Sequence, residues 1–186
     1  MNLFWSVILL QSFLLLLFNF NQIFAEELST NDFKLYQNKN HSLELMYPSD
    51  WTYVEFKDQF SDNDLFIITS FISPLKSPVD AFQEYFTIKL KILDPEDTFS
   101  NHFKSYLEKL NKTMINIKIS NIEDTSKINK YIQYSFSPQP GLVIMKDEYI
   151  FLKSNNIFHI EFTSDSNDYQ TFKLFINKII SYFRIV

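Results

Sequence analysis

The sequence contains no cysteine and a single glycine, and each scarcity removes a class of function. Without thiols there is no disulfide, no thiolate metal centre and no cysteine nucleophile, so stability must come from packing. Phosphate-cradling loops, dinucleotide-binding turns and the serine elbow of hydrolases need glycine wherever the backbone takes positive φ or closely approaches a ligand. Gly141 alone cannot supply three such positions, which argues against nucleotide-dependent chemistry. Basic side chains are also outnumbered. The 17 Lys plus Arg against 22 Asp plus Glu give a formal net charge of −5 with no basic block, which argues against a nucleic-acid partner.

What remains is 186 residues rich in aromatics, with two Trp, ten Tyr and 21 Phe. From Leu3 to Phe18 only Ser6, Gln11 and Ser12 interrupt an apolar run, and no charged side chain precedes Glu26. Ile23-Phe24-Ala25 followed by Glu26-Glu27 resembles a signal-peptidase site. Residues 1–25 are therefore expected to be a signal peptide that exports the chain and is cleaved after Ala25. The alternative is an uncleaved membrane anchor, since a helix over 3–24 would reach about 33 Å, enough for a bilayer core of about 30 Å. Asn19, Asn21 and Gln22 weaken a spanning helix and favour cleavage. Residues 26–33 read as a flexible linker and 34–186 as one domain, a length that buries a core of its own.

Within that domain Leu43, Leu45 and Tyr47 alternate with Ser42, Glu44 and Met46, a strand with one buried face. Pro48-Ser49-Asp50 turns, and 51–56 returns, so the pair is predicted to form a hairpin. Leu65–Ile72 is apolar throughout. Ile88, Leu90 and Ile92 alternate with Thr87, Lys89 and Lys91 as a half-buried strand. Asp94-Pro95-Glu96-Asp97 marks a helix start, followed by a stripe of Phe99, Phe103, Tyr106, Leu107 and Leu110. Four further strands are expected, at 115–119, 128–136, 142–152 and 156–162. Ser164-Asp165-Ser166 is expected to cap a final helix whose apolar face includes Phe172, Ile176, Ile179 and Ile180. Short links between strands predict antiparallel pairing, hence an α+β fold, an antiparallel β-sheet sandwich packed with helices.

The string Leu43-Glu44-Leu45-Met46-Tyr47-Pro48-Ser49-Asp50-Trp51, then Phe71-Ile72-Ser73-Pro74 with Asp80, Phe82 and Glu84, resembles the PsbP-like family, in particular its stand-alone exported archaeal members. The likeness covers residues 34–186 and ends on Ser181-Tyr182-Phe183-Arg184-Ile185. It departs at Asp124–Lys130, where the family tends to carry a Thr-Leu-x-Gly-x-Pro-Ala stretch. That turn must differ here, with Asn129 available for the left-handed conformation. The resemblance implies a noncatalytic accessory or binding module on the outer face of a membrane, whose partner is an extracytoplasmic or membrane protein. No cofactor is assigned.

Candidate sites are few. His41, His102 and His159 share no metal-ligand spacing, and the pattern places them as solvated or edge residues, His159 on the polar face of its strand beside Glu161. Asp58, Asp62 and Asp64, and Asp94, Glu96 and Asp97, offer oxygen ligands for calcium, yet loop formation and helix capping account for both groups. Serine is abundant but none is marked as activated, so no catalytic residue is assigned. Tyr47, Trp51 and Tyr53 would form a partner-binding patch if they face outward, and core if they do not. Asn40 and Asn111 head glycosylation sequons. The preferred expectation is an exported noncatalytic binding module. The alternatives are a small-ligand or metal (calcium or manganese) carrier and, behind it, a hydrolase.

Overall fold

The computed structural model describes residues 32–60, 65–75, 82–124 and 129–186, with the backbone alone for 57–60. Among the described residues ten strands and two helices follow one another: β1 (Phe33–Asn38), β2 (Leu43–Pro48), β3 (Thr52–Phe60), β4 (Phe66–Ile72), β5 (Tyr85–Ile92), α1 (Phe99–Thr113), β6 (Lys118–Glu123), β7 (Lys130–Gln139), β8 (Leu142–Lys153), β9 (Asn156–Asp165), α2 (Tyr169–Tyr182) and β10 (Arg184–Ile185). The signal segment falls outside the described residues. No helix among the described residues is long and apolar enough to cross a membrane.

Seven strands form one sheet in the order β3-β4-β5-β9-β8-β7-β6, and three form a second in the order β1-β2-β10. The pairs along the large sheet are antiparallel; short connections predict this for strands consecutive in the chain, whereas β5 and β9 meet across an excursion through α1, β6, β7 and β8. Besides Gly141 at φ +84°, left-handed backbone among the described residues is supplied by Ser42, Asn116 and Ser154 at φ 54–55°. Pro140-Gly141 joins β7 to β8 with Gln139 opposite Leu142, proline fixing the first corner and glycine the positive φ of the second.

The predicted hairpin of 43–47 with 51–56 does not form. Trp51 N–H closes a turn onto the Pro48 carbonyl at 3.1 Å, but the two strands then part company. β2 pairs with β10, Leu43 opposite Ile185, while β3 pairs with β4, Tyr53 opposite Phe71. The turn is a corner between sheets. Tyr47 and Tyr53 still touch edge to face across the turn, at 5.8 Å between ring centroids, but both sides are anchored elsewhere, Tyr47 against Phe71 of the large sheet and Trp51 against Phe172 of α2.

The large sheet is covered on both faces. On one, α1 lays Phe103, Tyr106 and Leu110 over Ile132, Tyr134, Ile150 and Ile157, each buried side chain contributing roughly 1.5–3 kcal/mol. α1 begins later than the sequence suggests: Thr98 is its cap, its hydroxyl accepting from Asn101 N–H at 3.2 Å, and Asp94–Asp97 precede it as a turn. On the other face lie α2 and the small sheet, meeting through Phe71, Phe86, Phe162, Trp51 and Phe172. Asp168 flanks α2, and Asp165 turns the chain into it by accepting from Asn167 and Asp168 N–H. The unit built this way spans Lys34–Val186.

Candidate functional site

The strand that decides the interior chemistry is β8. Its apolar sequence is interrupted at the middle by Lys146-Asp147-Glu148, and because successive side chains alternate faces, Lys146 and Glu148 point beneath α1 while Asp147 points toward α2. All three are buried. Such groups persist inside a fold only when they are paired.

Beneath α1, β9 sets Glu161 opposite Glu148 and His159 opposite Ile150. Lys146 Nζ meets Glu161 Oε1 at 2.6 Å, and Lys89 Nζ of β5 meets Oε2 at 3.2 Å. Burial alone would raise the Glu161 carboxyl, but the two lysines outweigh it and hold the group well below the usual range. Glu148 accepts the Tyr106 hydroxyl at 2.6 Å and meets His159 Nδ1 at 2.5 Å. The far nitrogen of His159 lies 3.1 Å from His102 Nε2, so one imidazole donates to the other. Burial first, and His159 second, push the His102 imidazole down to about 4, leaving it neutral at physiological pH. His102 and Tyr106 stand one turn apart on α1 and therefore share a face.

The result is a continuous chain His102–His159–Glu148–Tyr106 beside the Lys89–Glu161–Lys146 triad. Its interior members have essentially no solvent contact, with His159 and Glu148 both fully buried. It can orient and share protons. Among the described residues no serine is hydrogen-bonded to a histidine ring: the His159 ring meets Glu148 and His102.

On the α2 face, Asp147 receives the Tyr131 hydroxyl at 2.8 Å, Gln133 at 3.1 Å and the Tyr169 hydroxyl at 2.7 Å. Burial, then Asp147 itself, raises both tyrosines above their ordinary range. Tyr169 is the first residue of α2, so this carboxylate pins the helix start to the sheet. Beside it a shallow groove of about 330 Å³ opens between α2 and the β6 edge, lined by Asn121, Glu123, Tyr149, Lys173 and Asn177 among others.

The sequence-derived sites fare unequally. Trp51 is 6% exposed and Tyr47 is similarly buried, so neither forms a surface patch, while Tyr53 is 47% exposed. The three are the join between the sheets: Trp51 sits 5.8 Å from Phe86, and Tyr47 and Tyr53 flank Phe71 at 4.9 and 5.7 Å. The histidine reading is corrected too. His159 and His102 are buried and in contact, because α1 covers the strand face that periodicity alone presents as solvated. The Asp62 and Asp64 loop and the Asp58 side chain lie outside the described residues. Asp94, Glu96 and Asp97 are spread along the approach to α1, Asp97 accepting from Thr98 N–H. An acidic trio that spacing could not reveal lies elsewhere, with one carboxylate oxygen each of Glu84, Asp165 and Asp168 within 4.8 Å of the others. Asn40 and Asn111 are exposed. The overlooked signal was the charged tripeptide at 146–148: three consecutive charges in the longest apolar strand of the chain demand buried partners.

No family model matches the sequence, and no curated protein matches it. Among solved structures, the fold is similar to cyanobacterial PsbP (CyanoP) from Synechocystis, with a TM-score of 0.58 at 11% identity over 87% of this chain and 97% of that one. It is also similar to the Saccharomyces cerevisiae Ran-binding protein Mog1p, with a TM-score of 0.55 at 7% identity, covering 83% and 95%. A third likeness is to LpqN of Mycobacterium tuberculosis, involved in cell envelope biogenesis, with a TM-score of 0.52 at 12% identity, covering 83% and 90%. The chain has the α+β fold of PsbP and Mog1.

Proposed function

We propose that this protein is an exported, noncatalytic binding module of PsbP-like fold that engages a membrane or other extracytoplasmic protein. The observation that carries the reading is the burial of its ionisable groups: His102, His159, Glu148, Glu161 and Lys146 are buried under α1 and paired with one another or with Tyr106 and Lys89. The apolar leader supports export, with cleavage after Ala25. The fold supports binding by analogy, since Mog1p, built on the same layers, is a Ran-binding protein. Of Tyr47, Trp51 and Tyr53, the exposure of Tyr53 beside Val54 supports a partner contact at that position.

The test is affinity capture of the tagged full chain from its own membrane fraction, with Tyr53→Ala in parallel. A partner recovered by the wild type and lost from the variant supports the reading. Recovery of nothing above background removes it. Mass spectrometry of the natural N-terminus decides between release and anchoring.

A second reading, a small-ligand or metal carrier, draws on the convergence of Glu84, Asp165 and Asp168. Calorimetry against calcium, manganese and zinc tests it, and absence of heat eliminates the metal version.

A further inference from the structure

Among the described residues β6 lies at one end of the large sheet, hydrogen-bonded to β7 on one side only. Its approach and its α1 face carry a row of isoleucines: Ile115 is 67% and Ile122 44% exposed, and Ile117 and Ile119 are partly buried against the core. An open strand edge flanked by apolar side chains is a template for another strand. A lone lysine on such an edge repels a second copy. Here Lys118 at one end is matched by Glu123 at the other, both exposed and neither ion-paired among the described residues.

Five residues apart in a regular strand, these two charges would point to opposite faces. They do not, because β6 is bulged between Ile119 and Asn121. Lys118 stands opposite Ser135 and Glu123 opposite Tyr131, positions four apart on β7 and hence on one face. Ile119 stands opposite Tyr134 and Ile122 opposite Ile132, together on the α1 face. Ser120 is the extra residue, its hydroxyl turned back to Gln133 at 3.2 and 3.0 Å. The pairing positions of the edge therefore read Lys, Ile, Asn, Ile, Glu, a sequence complementary to itself when reversed.

Two antiparallel edge strands of identical chains are related by a two-fold axis perpendicular to the sheet, which brings together only residues of the same face. An axis through Asn121 satisfies that condition throughout: Lys118 meets Glu123 of the second copy, Ile119 meets Ile122, and Asn121 meets its equivalent. We propose that β6 is the seam of a homodimer in which this pairing joins two large sheets into one continuous sheet. The bulge is what makes the edge self-complementary. This goes beyond the binding reading and stands or falls separately from it.

The test is sedimentation velocity of the full chain in mild non-ionic detergent. The wild type is expected to dimerise. Lys118→Glu and Glu123→Lys each turn two attractive cross-strand pairs into repulsive ones and raise the dimer dissociation constant by roughly tenfold. The double charge swap restores it to near the wild-type value. Because the chain has no cysteine, Asn121→Cys gives a second readout, a disulfide-linked dimer that forms on mild oxidation faster than with an Asn38→Cys control. A wild type that stays monomeric at the highest attainable concentration overturns the proposal. So does a dimer indifferent to both single charge changes, or one that the double swap fails to restore, or an Asn121→Cys chain that links no faster than the control.

Discussion

Replacing Glu161 by glutamine tests whether the charges under α1 hold the fold or merely occupy it. Glu161 is 4% exposed and shared by Lys146 at 2.6 Å and Lys89 at 3.2 Å. At an effective dielectric of about 20, unit charges about 3 Å apart attract by roughly 5 kcal/mol, and the cost of burying them cancels much of that. The amide keeps one acceptor for one lysine but turns a donor toward the other, leaving buried Lys146 or Lys89 uncompensated. Removing one partner of a buried ion pair costs about 3–5 kcal/mol, and that is the loss expected at neutral pH. The pH dependence adds a second signature. Burial raises the Glu161 carboxyl and the lysines lower it further, so its folded value lies below the unfolded one. Its contribution is complete above an unfolded value of about 4.3 and is lost as pH falls from there through the folded value. The gap between wild type and Glu161→Gln, measured by urea unfolding with far-UV circular dichroism, should be widest at about pH 7 and measurably smaller at about pH 3, where the loss is under way but not complete. A gap under about 1 kcal/mol at neutral pH, or one that does not narrow in acid, would refute the account of a compensating triad.

Two further outcomes probe the other layers. Trp51→Ala should cost about 3–5 kcal/mol, because the ring lies between Phe86 and Phe172 at 5.8 and 5.9 Å. Tyr53→Ala should cost less than half as much, and the reverse order in urea unfolding would return Trp51 to the surface. The His102 imidazole, held down to about 4 by burial and then by His159, should titrate near that value by NMR. Since an unfolded histidine binds its proton near 6.5, stability should fall as pH drops from about 6.5 toward 4. His102→Gln should flatten that decline. A His102 midpoint near 6.5 would contradict the contact between the two rings.

Much of the architecture was legible in strings of residues. The alternation in β5, the apolar stripe of α1 and the Pro140-Gly141 turn each depend on neighbours a few positions away, and local sterics read the same way in any surroundings. The antiparallel pairing of consecutive strands followed from short links, while the junction of β5 with β9 did not. The β2–β3 hairpin failed because a tight turn between two alternating segments suits either a hairpin or a corner between sheets. The choice rests on whether Tyr47 and Trp51 find each other or find Phe71, Phe86 and Phe172, far along the chain. The histidines failed for a related reason. A strand with one polar face is assumed wet, but the face bearing His159 and Glu161 lies under a helix that supplies His102 and Tyr106, while neighbouring strands supply Lys89, Lys146 and Glu148.

Composition alone settled that this chain is stabilised by packing without covalent staples, since it has no thiols and abundant aromatics. Pattern alone placed most strands and both helices, because side-chain period is a property of the local backbone. Which polar groups are buried, and with whom, belonged to the tertiary structure. A charge is tolerated or expelled according to the partner that arrives from another element, and at Lys146, Asp147 and Glu148 the partners come from α1, β7, β9 and α2. The register of β6 was decided at the same level: a single bulge against β7 determines that Lys118 and Glu123 share a face.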